Sequence, residues 1–184
     1  ACPNCTAEIV FTNEAFDKEN GRVRDEFNCP QCNVQLDKNQ LILLFDTKFD
    51  SNSAKISKDP KRIPVLIQYK IGKNKYEKQP DSFDLEVIRK IEELSTPKEI
   101  PILELPDMQM ARVGRMKTTG VKNIRQFFLL RQAHSIASLW RYANQQNEPR
   151  IKSFLIFFIE QAIWGMSVLN RYQPIQHGRL GGSQ

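Results

Sequence analysis

Alternating apolar and polar residues predict a β-hairpin near the middle of the chain. Residues 65–71 (VLIQYKI) alternate in polarity, residues 72–74 (GKN) follow as a turn, and residues 75–78 return. Alternation is typical of strands because successive side chains point to opposite faces. We therefore expect a hairpin over residues 65–78.

The N-terminal segment predicts further short strands. Residues 8–11 and 22–27 flank Asn20-Gly21, a pair typical of tight hairpin turns. Asp37 followed by Gln40 resembles a capping box, which predicts a short helix over residues 41–44. The polar residues 50–61 then predict a linker.

Helical spacing dominates the rest of the chain. Apolar residues at helical intervals predict a helix over 83–94 and a longer one over 123–146. Asn147 is a plausible cap for a last helix, with Pro149 in its first turn. Between the first two helices, residues 95–121 are rich in proline and predict a meandering loop.

The most apolar part of the chain is the segment over residues 151–170, which belongs to the last helix. Its longest uncharged stretch, residues 153–159, ends at Glu160, whereas a membrane-spanning helix needs about 20 mostly apolar residues. We expect a helix that is central to the core or packed on a partner, and no membrane partner.

These elements predict an α+β fold in three segments. An N-terminal four-cysteine zinc ribbon occupies residues 1–36. A mixed segment follows over residues 37–110, containing the hairpin and the helix 83–94. A basic loop and a pair of longer α-helices make up residues 111–184.

Positive charge is concentrated in the last segment. The chain carries a formal charge of +6, but residues 111–184 hold 11 basic and only 2 acidic side chains. Such a field attracts phosphate backbones or anionic lipids. Ordinary surface solubility explains the charge equally well.

The four cysteines carry the strongest chemical signal. Cys2 and Cys5 form one CxxC pair, and Cys29 and Cys32 form the other. Zinc favours a tetrahedron of soft ligands, and two thiolates separated by two residues span one edge of it. Four thiolates leave no open position, so the expected site is structural. Two disulfides, a redox CxxC or an iron–sulfur site are the alternatives.

No secretory leader is visible, so we expect a reducing cytoplasm.

The sequence shows no catalytic grouping. His134 and His177 are the two histidines, and no Walker loop, dinucleotide fingerprint or Ser/His/Asp grouping accompanies them. After residue 111 an acid/base pair could draw only on Glu148 and Glu160. We expect no catalytic residues in this chain.

Basic residues interleaved with aromatic ones are candidates for DNA contact, since cations bind phosphates and aromatic rings stack on bases. A lysine exposed only to solvent is the simpler interpretation of each position. The candidates lie on the hairpin, in the loop before the first long helix, and near each end of the helical pair: Lys73, Lys75, Lys78, Arg112, Arg115, Lys117, Lys122, Arg125, Arg171 and Arg179. Lys70 lies in the same hairpin.

Five stretches, covering most of the chain in order, resemble one family. CPNCTAEIVF, DKENGRVRDEFNCPQC, IPVLIQYKIGKNKYEKQPDSFDLEVIRKIEE, MKTTGVKNIRQFFLLRQ and LNRYQP are similar to the zinc-ribbon-containing adenine-specific DNA methylases of bacteria and archaea. The resemblance implies an inserted domain that lies between the cofactor-binding strand and the Asp-Pro-Pro motif of such an enzyme. Neither of those elements is present in this sequence.

This resemblance implies DNA as a partner, together with the methyltransferase catalytic domain of the same chain. Structural Zn²⁺ would be bound here, whereas S-adenosylmethionine would be bound only by the full-length parent. The family usually has glycine after the second cysteine of each pair, but this chain has Thr6 and Asn33. Threonine tolerates the left-handed backbone of such a turn less well than asparagine does.

Three functions remain open from the sequence. The leading one is DNA binding or target recognition within the methyltransferase. The second is a scaffold domain that docks on the catalytic core, and the third is a stand-alone zinc-ribbon adaptor that binds nucleic acid.

Overall fold

A computed structural model describes residues 1–17, 19–50, 54–113, 116 and 121–170. Within them the fold is a mixture of helices and small antiparallel hairpins. The helices are α1 (Phe11–Ala15), α2 (Ser82–Glu92), α3 (Gln109–Arg112), α4 (Leu130–Asn144) and α5 (Pro149–Met166), and a 3₁₀ turn covers Ile124–Phe127. The strands are β1 (Phe16–Asp17), β2 (Arg22–Val23), β3 (Glu26–Asn28), β4 (Gln35–Asp37), β5 (Phe45–Asp50), β6 (Lys55–Pro60), β7 (Ile67–Ile71) and β8 (Asn74–Lys78).

The described strands form four separate two-stranded sheets: β1–β2, β3–β4, β5–β6 and β7–β8. Each pairs strands that are consecutive in the sequence, so each ladder is local. The predicted central hairpin is present as β7–β8, with Tyr69 opposite Tyr76 and Lys70 opposite Lys75. The predicted helix over 83–94 is also present, as α2.

Several predicted elements in the first half are wrong. Residues 8–11 form no strand, and β1 is the strand that pairs across the Asn20-Gly21 turn. Asp37 and Gln40 do exchange the hydrogen bonds of a capping box, but they close a turn after β4 and no helix follows. The predicted linker over 50–61 contains β6, which pairs with β5.

The predicted helix over 123–146 is interrupted. Asn123 and Gln126 form a reciprocal capping box around the 3₁₀ turn, and Leu129 is extended before α4 begins. Gln126 also donates to the backbone oxygen of Lys58 at 2.8 Å, which draws the turn toward β6. The interruption therefore follows from a tertiary contact.

The last helix begins one residue later than predicted, because the side chain of Glu148, rather than Asn147, accepts the capping hydrogen bond. The helix contacts α4, and Ile163 and Met166 pack against Ala133 and Ile136. Of its 18 residues only Ile159 is buried. Of the two expectations for this helix, a central place in the core is therefore wrong, and packing on a partner stays a prediction.

Two small apolar cores organise the described residues. One surrounds the cysteines and contains Phe27 and Leu36, with Phe11 packed edge-on against Phe27. The other lies between α4, α5 and Ile100. Lys61, the residue directly after β6, forms an ion pair with Glu8 at 2.7 Å. This ion pair ties the end of β6 to the N-terminal segment that contains the first core. No helix in the described part of the chain is both long and apolar enough to cross a membrane.

Candidate metal centre and basic hairpin

Two backbone turns of identical pattern carry the four cysteines. In the first, the amide of Thr6 donates to the oxygen of Cys2 at 3.0 Å, and the amide of Cys2 donates to Ala7 at 2.9 Å. In the second, the amide of Asn33 donates to Cys29, and the amide of Cys29 donates to Val34, both at 2.9 Å. The repeated CxxC spacing therefore produces two equivalent turns that point their sulfur atoms at one another.

The residue after each CxxC adopts the left-handed backbone conformation. Thr6 has φ of 60° and Asn33 has φ of 58°. Both positions therefore adopt the conformation that favours glycine. The hydroxyl of Thr6 donates to the oxygen of Cys5 at 2.7 Å, which compensates in part.

The sulfur atoms fit a single tetrahedral metal ion. All four Sγ atoms lie within 4.8 Å of one another, with Cys2 to Cys32 at 3.8 Å and Cys5 to Cys29 at 3.7 Å. A zinc–sulfur bond of about 2.3 Å places the sulfurs of a tetrahedron about 3.8 Å apart. A disulfide requires about 2.05 Å, so these four cysteines are unpaired thiols.

Hydrogen bonds to sulfur set the protonation of the cluster. The side chain of Asn4 donates to Cys32 at 3.5 Å and, with the amide of Val34, lowers the pKa of Cys32 to about 6. Burial opposes ionisation of Cys2, but the amides of Cys5 and Asn4 outweigh it and lower its pKa.

Cys5 is the exception within the cluster. The amide of Ala7 favours its thiolate, but burial and the three neighbouring sulfurs raise its pKa to about 12. Without a cation, four adjacent thiolates repel one another. A bound divalent ion would relieve that repulsion, which is the chemistry this donor set suits.

The β7–β8 hairpin presents two chemically different exposed faces. Tyr69 and Tyr76 stack on one face, with ring centroids 5.4 Å apart and planes inclined by 21°. Lys70 and Lys75 lie on the opposite face, and Lys73 is in the turn. All three lysines are exposed.

Other predicted DNA contacts have internal partners. Lys78 lies 2.9 Å from Asp81 and 2.6 Å from Asp84. Arg112 donates to Asp107 at 2.7 Å. Arg125 forms an ion pair with Asp59, and only 11% of its side chain is exposed.

The remaining candidates divide by exposure and by whether the structure describes them. Lys122 is exposed before the 3₁₀ turn. Arg115, Lys117, Arg171 and Arg179 lie outside the described residues, as does His177. His134 is partly buried in α4, and its Nε2 atom has no hydrogen-bond partner.

A cavity of about 550 Å³ lies where α1, β5–β6, α2 and the start of α4 meet. Ile88, Ile91 and Phe128 contribute apolar walls. Its charged lining is largely paired, as in Lys48 with Glu92 and Arg125 with Asp59. We interpret it as a junction between elements.

Sequence reasoning missed Asn4, and it missed that Arg125, predicted as a DNA contact, and Gln126 both bind Asp59. Asn4 could have been found, because it lies inside the first CxxC where its amide can reach sulfur. The contacts with Asp59 join residues more than sixty positions apart, and no local pattern marks them. Comparison with known protein families, with curated proteins and with solved structures finds no match to this chain.

Proposed function

We propose that this chain is a non-catalytic zinc-ribbon domain of an adenine-specific DNA methyltransferase and that it helps to hold the DNA. The observation that carries the proposal is the lysine face of the β7–β8 hairpin. Lys70 and Lys75 are directly opposite each other, and Lys73 follows in the turn. All three lysines are exposed, so the phosphate groups of a bound DNA could reach them.

The metal centre supports the proposal as an anchor. Cys2, Cys5, Cys29 and Cys32 would hold one Zn²⁺ with no open coordination position, so its role would be to fold the ribbon. Elemental analysis should find one zinc per chain. Absence of zinc with the sulfurs joined in disulfides would overturn this part of the proposal.

A salt titration of DNA binding tests the main proposal. The logarithm of the affinity for DNA falls linearly with the logarithm of the salt concentration, and each phosphate contact adds about 0.9 to the steepness of that fall. The combined variant K70Q/K73Q/K75Q, which removes three lysines, should therefore show a slope that is smaller by about 2 to 3. Lys38→Gln is the matched control, because Lys38 is exposed but lies in the turn after β4. We expect no change from it.

A scaffold role is the second candidate, and α5 supports it. Phe154, Phe157, Phe158 and Trp164 on this helix are each more than half exposed. Large exposed apolar surfaces mark interaction sites, and the missing methyltransferase core would be the partner. If the chain fails to bind duplex DNA even at low salt, the scaffold role is favoured over DNA binding.

A further inference from the structure

The cavity at the junction of α1, β5–β6, α2 and the start of α4 is large enough to hold a small molecule. Its volume of about 550 Å³ lies within the range of about 300–1,000 Å³ that is typical of ligand pockets. Such pockets combine mainly apolar walls with a few polar groups that orient the ligand. The walls and the charges of this cavity therefore indicate which class of ligand it suits.

The apolar wall of the cavity comes from α2 and from the segment before α4. Ile88 and Ile91 line it from one face of α2, since residues three apart are neighbours on a helix. The structure describes every residue of α2, and none of them is buried. Phe128 also lines the cavity and is only half-buried. A ligand with an apolar body would cover these side chains and remove their surface from water.

The charged lining of the cavity has more basic than acidic side chains. Five of the lining residues are basic and three are acidic. Three of the basic ones form ion pairs: Lys48 with Glu92, Arg125 with Asp59, and Lys61 with Glu8. Glu8 and, to a smaller extent, the third acidic residue, Asp46, raise the pKa of Lys61. Arg62 and Arg131 remain, and neither forms an ion pair with any residue that the structure describes.

The surroundings of Arg62 favour an anionic partner. Asp59 attracts Arg62, but its Oδ1 atom already accepts hydrogen bonds from Arg125 and Gln126. Neighbouring atoms desolvate the guanidinium group of Arg62 and lower its pKa in spite of that attraction. Arg62 and Arg131 both line the cavity and are exposed, which places them where it opens to solvent. Guanidinium groups bind carboxylates and phosphates through paired hydrogen bonds.

We propose that this cavity binds a small organic anion, whose apolar body packs against α2 and Phe128 while its carboxylate or phosphate group pairs with Arg62 and Arg131. The apolar wall alone would suit a neutral compound, and the arginines alone would suit an inorganic ion. The combination selects a molecule that has both parts. This inference does not depend on the DNA binding proposed above.

The experiment is an NMR titration of the full chain with small probes. Phenyl phosphate and benzoate join a ring to an anionic group, benzyl alcohol keeps the ring without the charge, and inorganic phosphate keeps the charge without the ring. Both aromatic anions should bind about tenfold more tightly than benzyl alcohol or inorganic phosphate. The amide signals of Ile88, Ile91 and Phe128 should shift as they bind.

Substitution of the arginines tests their part in binding. R62Q and R131Q should each weaken the binding of phenyl phosphate by about tenfold and leave that of benzyl alcohol unchanged. Both side chains are exposed, so the fold should tolerate these changes. Arg150→Gln is the matched control, because Arg150 is also exposed but lies at the start of α5. We expect no change from it.

Each part of the proposal can fail separately. Equal affinity for phenyl phosphate and benzyl alcohol would exclude a role for the arginines. Equal affinity for phenyl phosphate and inorganic phosphate would exclude a role for the apolar wall. Signal shifts confined to α5, whose aromatic side chains are also exposed, would overturn the cavity as the site. Displacement of phenyl phosphate by duplex DNA would assign Arg62 and Arg131 to a DNA-binding surface and overturn the small-molecule site.

Discussion

Backbone strain at single residues is concentrated in the turns that hold the cysteines. Thr6 and Asn33 occupy the same position in equivalent turns and have nearly the same φ. Asparagine visits this conformation far more readily than a β-branched residue does. The first turn is therefore the more strained of the two.

Replacing Thr6 by glycine should strengthen the metal centre. Glycine adopts the left-handed conformation without strain, which should stabilise the folded turn by about 1–2 kcal/mol. Its greater conformational entropy in the unfolded chain should destabilise the fold by about 0.5–1 kcal/mol. We expect a net gain of up to about 1.5 kcal/mol, measured as resistance to metal extraction by a competing chelator. Asn33→Gly should gain less, and an equal or larger gain there would contradict the explanation.

The start of α2 should respond to acid through Asp81. The amide of Asp84 and the ammonium of Lys78 lower the pKa of Asp81 to about 2 from the ordinary 3.8. A lowered folded-state pKa stabilises the fold above about pH 4, and that contribution is lost as pH falls toward 2.

Carboxyl NMR titration of Asp81 should therefore show a midpoint near 2. Lys78→Gln should raise the midpoint only in part, because the amide of Asp84, the larger cause, remains. A midpoint at or above 3.8 in the unchanged chain would show that the cap does not form.

At the scale of elements, the sequence revealed those that a clear local pattern marks, and it missed one local hairpin and one long-range contact. The β7–β8 hairpin follows from alternation and turn residues, and α2 follows from apolar residues at helical spacing. The β5–β6 hairpin was missed because Phe49 and Ile56 pair with each other in exposed positions and leave no buried stripe. The break before α4 depends on Gln126 reaching Lys58.

The ion pair between Arg125 and Asp59 should hold β6 against the 3₁₀ turn. Arg125→Ala removes the charge partner of Asp59, whose side chain is three-quarters buried. This should lower the free energy of unfolding, measured with denaturant, by about 1–3 kcal/mol. Arg89→Ala is the comparison, since Arg89 pairs with Glu86 on the exposed side of α2 and should cost less than about 1 kcal/mol. Equal losses would indicate that burial does not strengthen the Arg125 pair.

For the whole molecule, the two cores predict two stages of unfolding. The cysteine core would depend on a metal ion bound by the four cysteines, whereas the core between α4 and α5 contains none of them. The candidate ligands were fully predictable from the CxxC spacing. The independence of the second core was not, because it depends on which helices pack together.

If the four cysteines hold a metal ion, adding a chelator should unfold the segment that contains them and preserve most of the helical circular dichroism. Amide hydrogen exchange should accelerate around Cys2 and Cys29 first, while α4 keeps its protection. Cys32→Ser should reproduce the effect without chelator. Simultaneous loss of the helices would show that the ribbon supports the entire fold.

The four described hairpins share no strands, and this has a consequence for how such a chain can change over generations. Insertions or substitutions in the turn around Gly72 would lengthen or reshape the β7–β8 hairpin without breaking the hydrogen bonds of another sheet. Related chains could thus diversify the tip while keeping the cysteine anchor. Engineered exchange of the β7–β8 hairpin alone should leave the other three ladders unchanged.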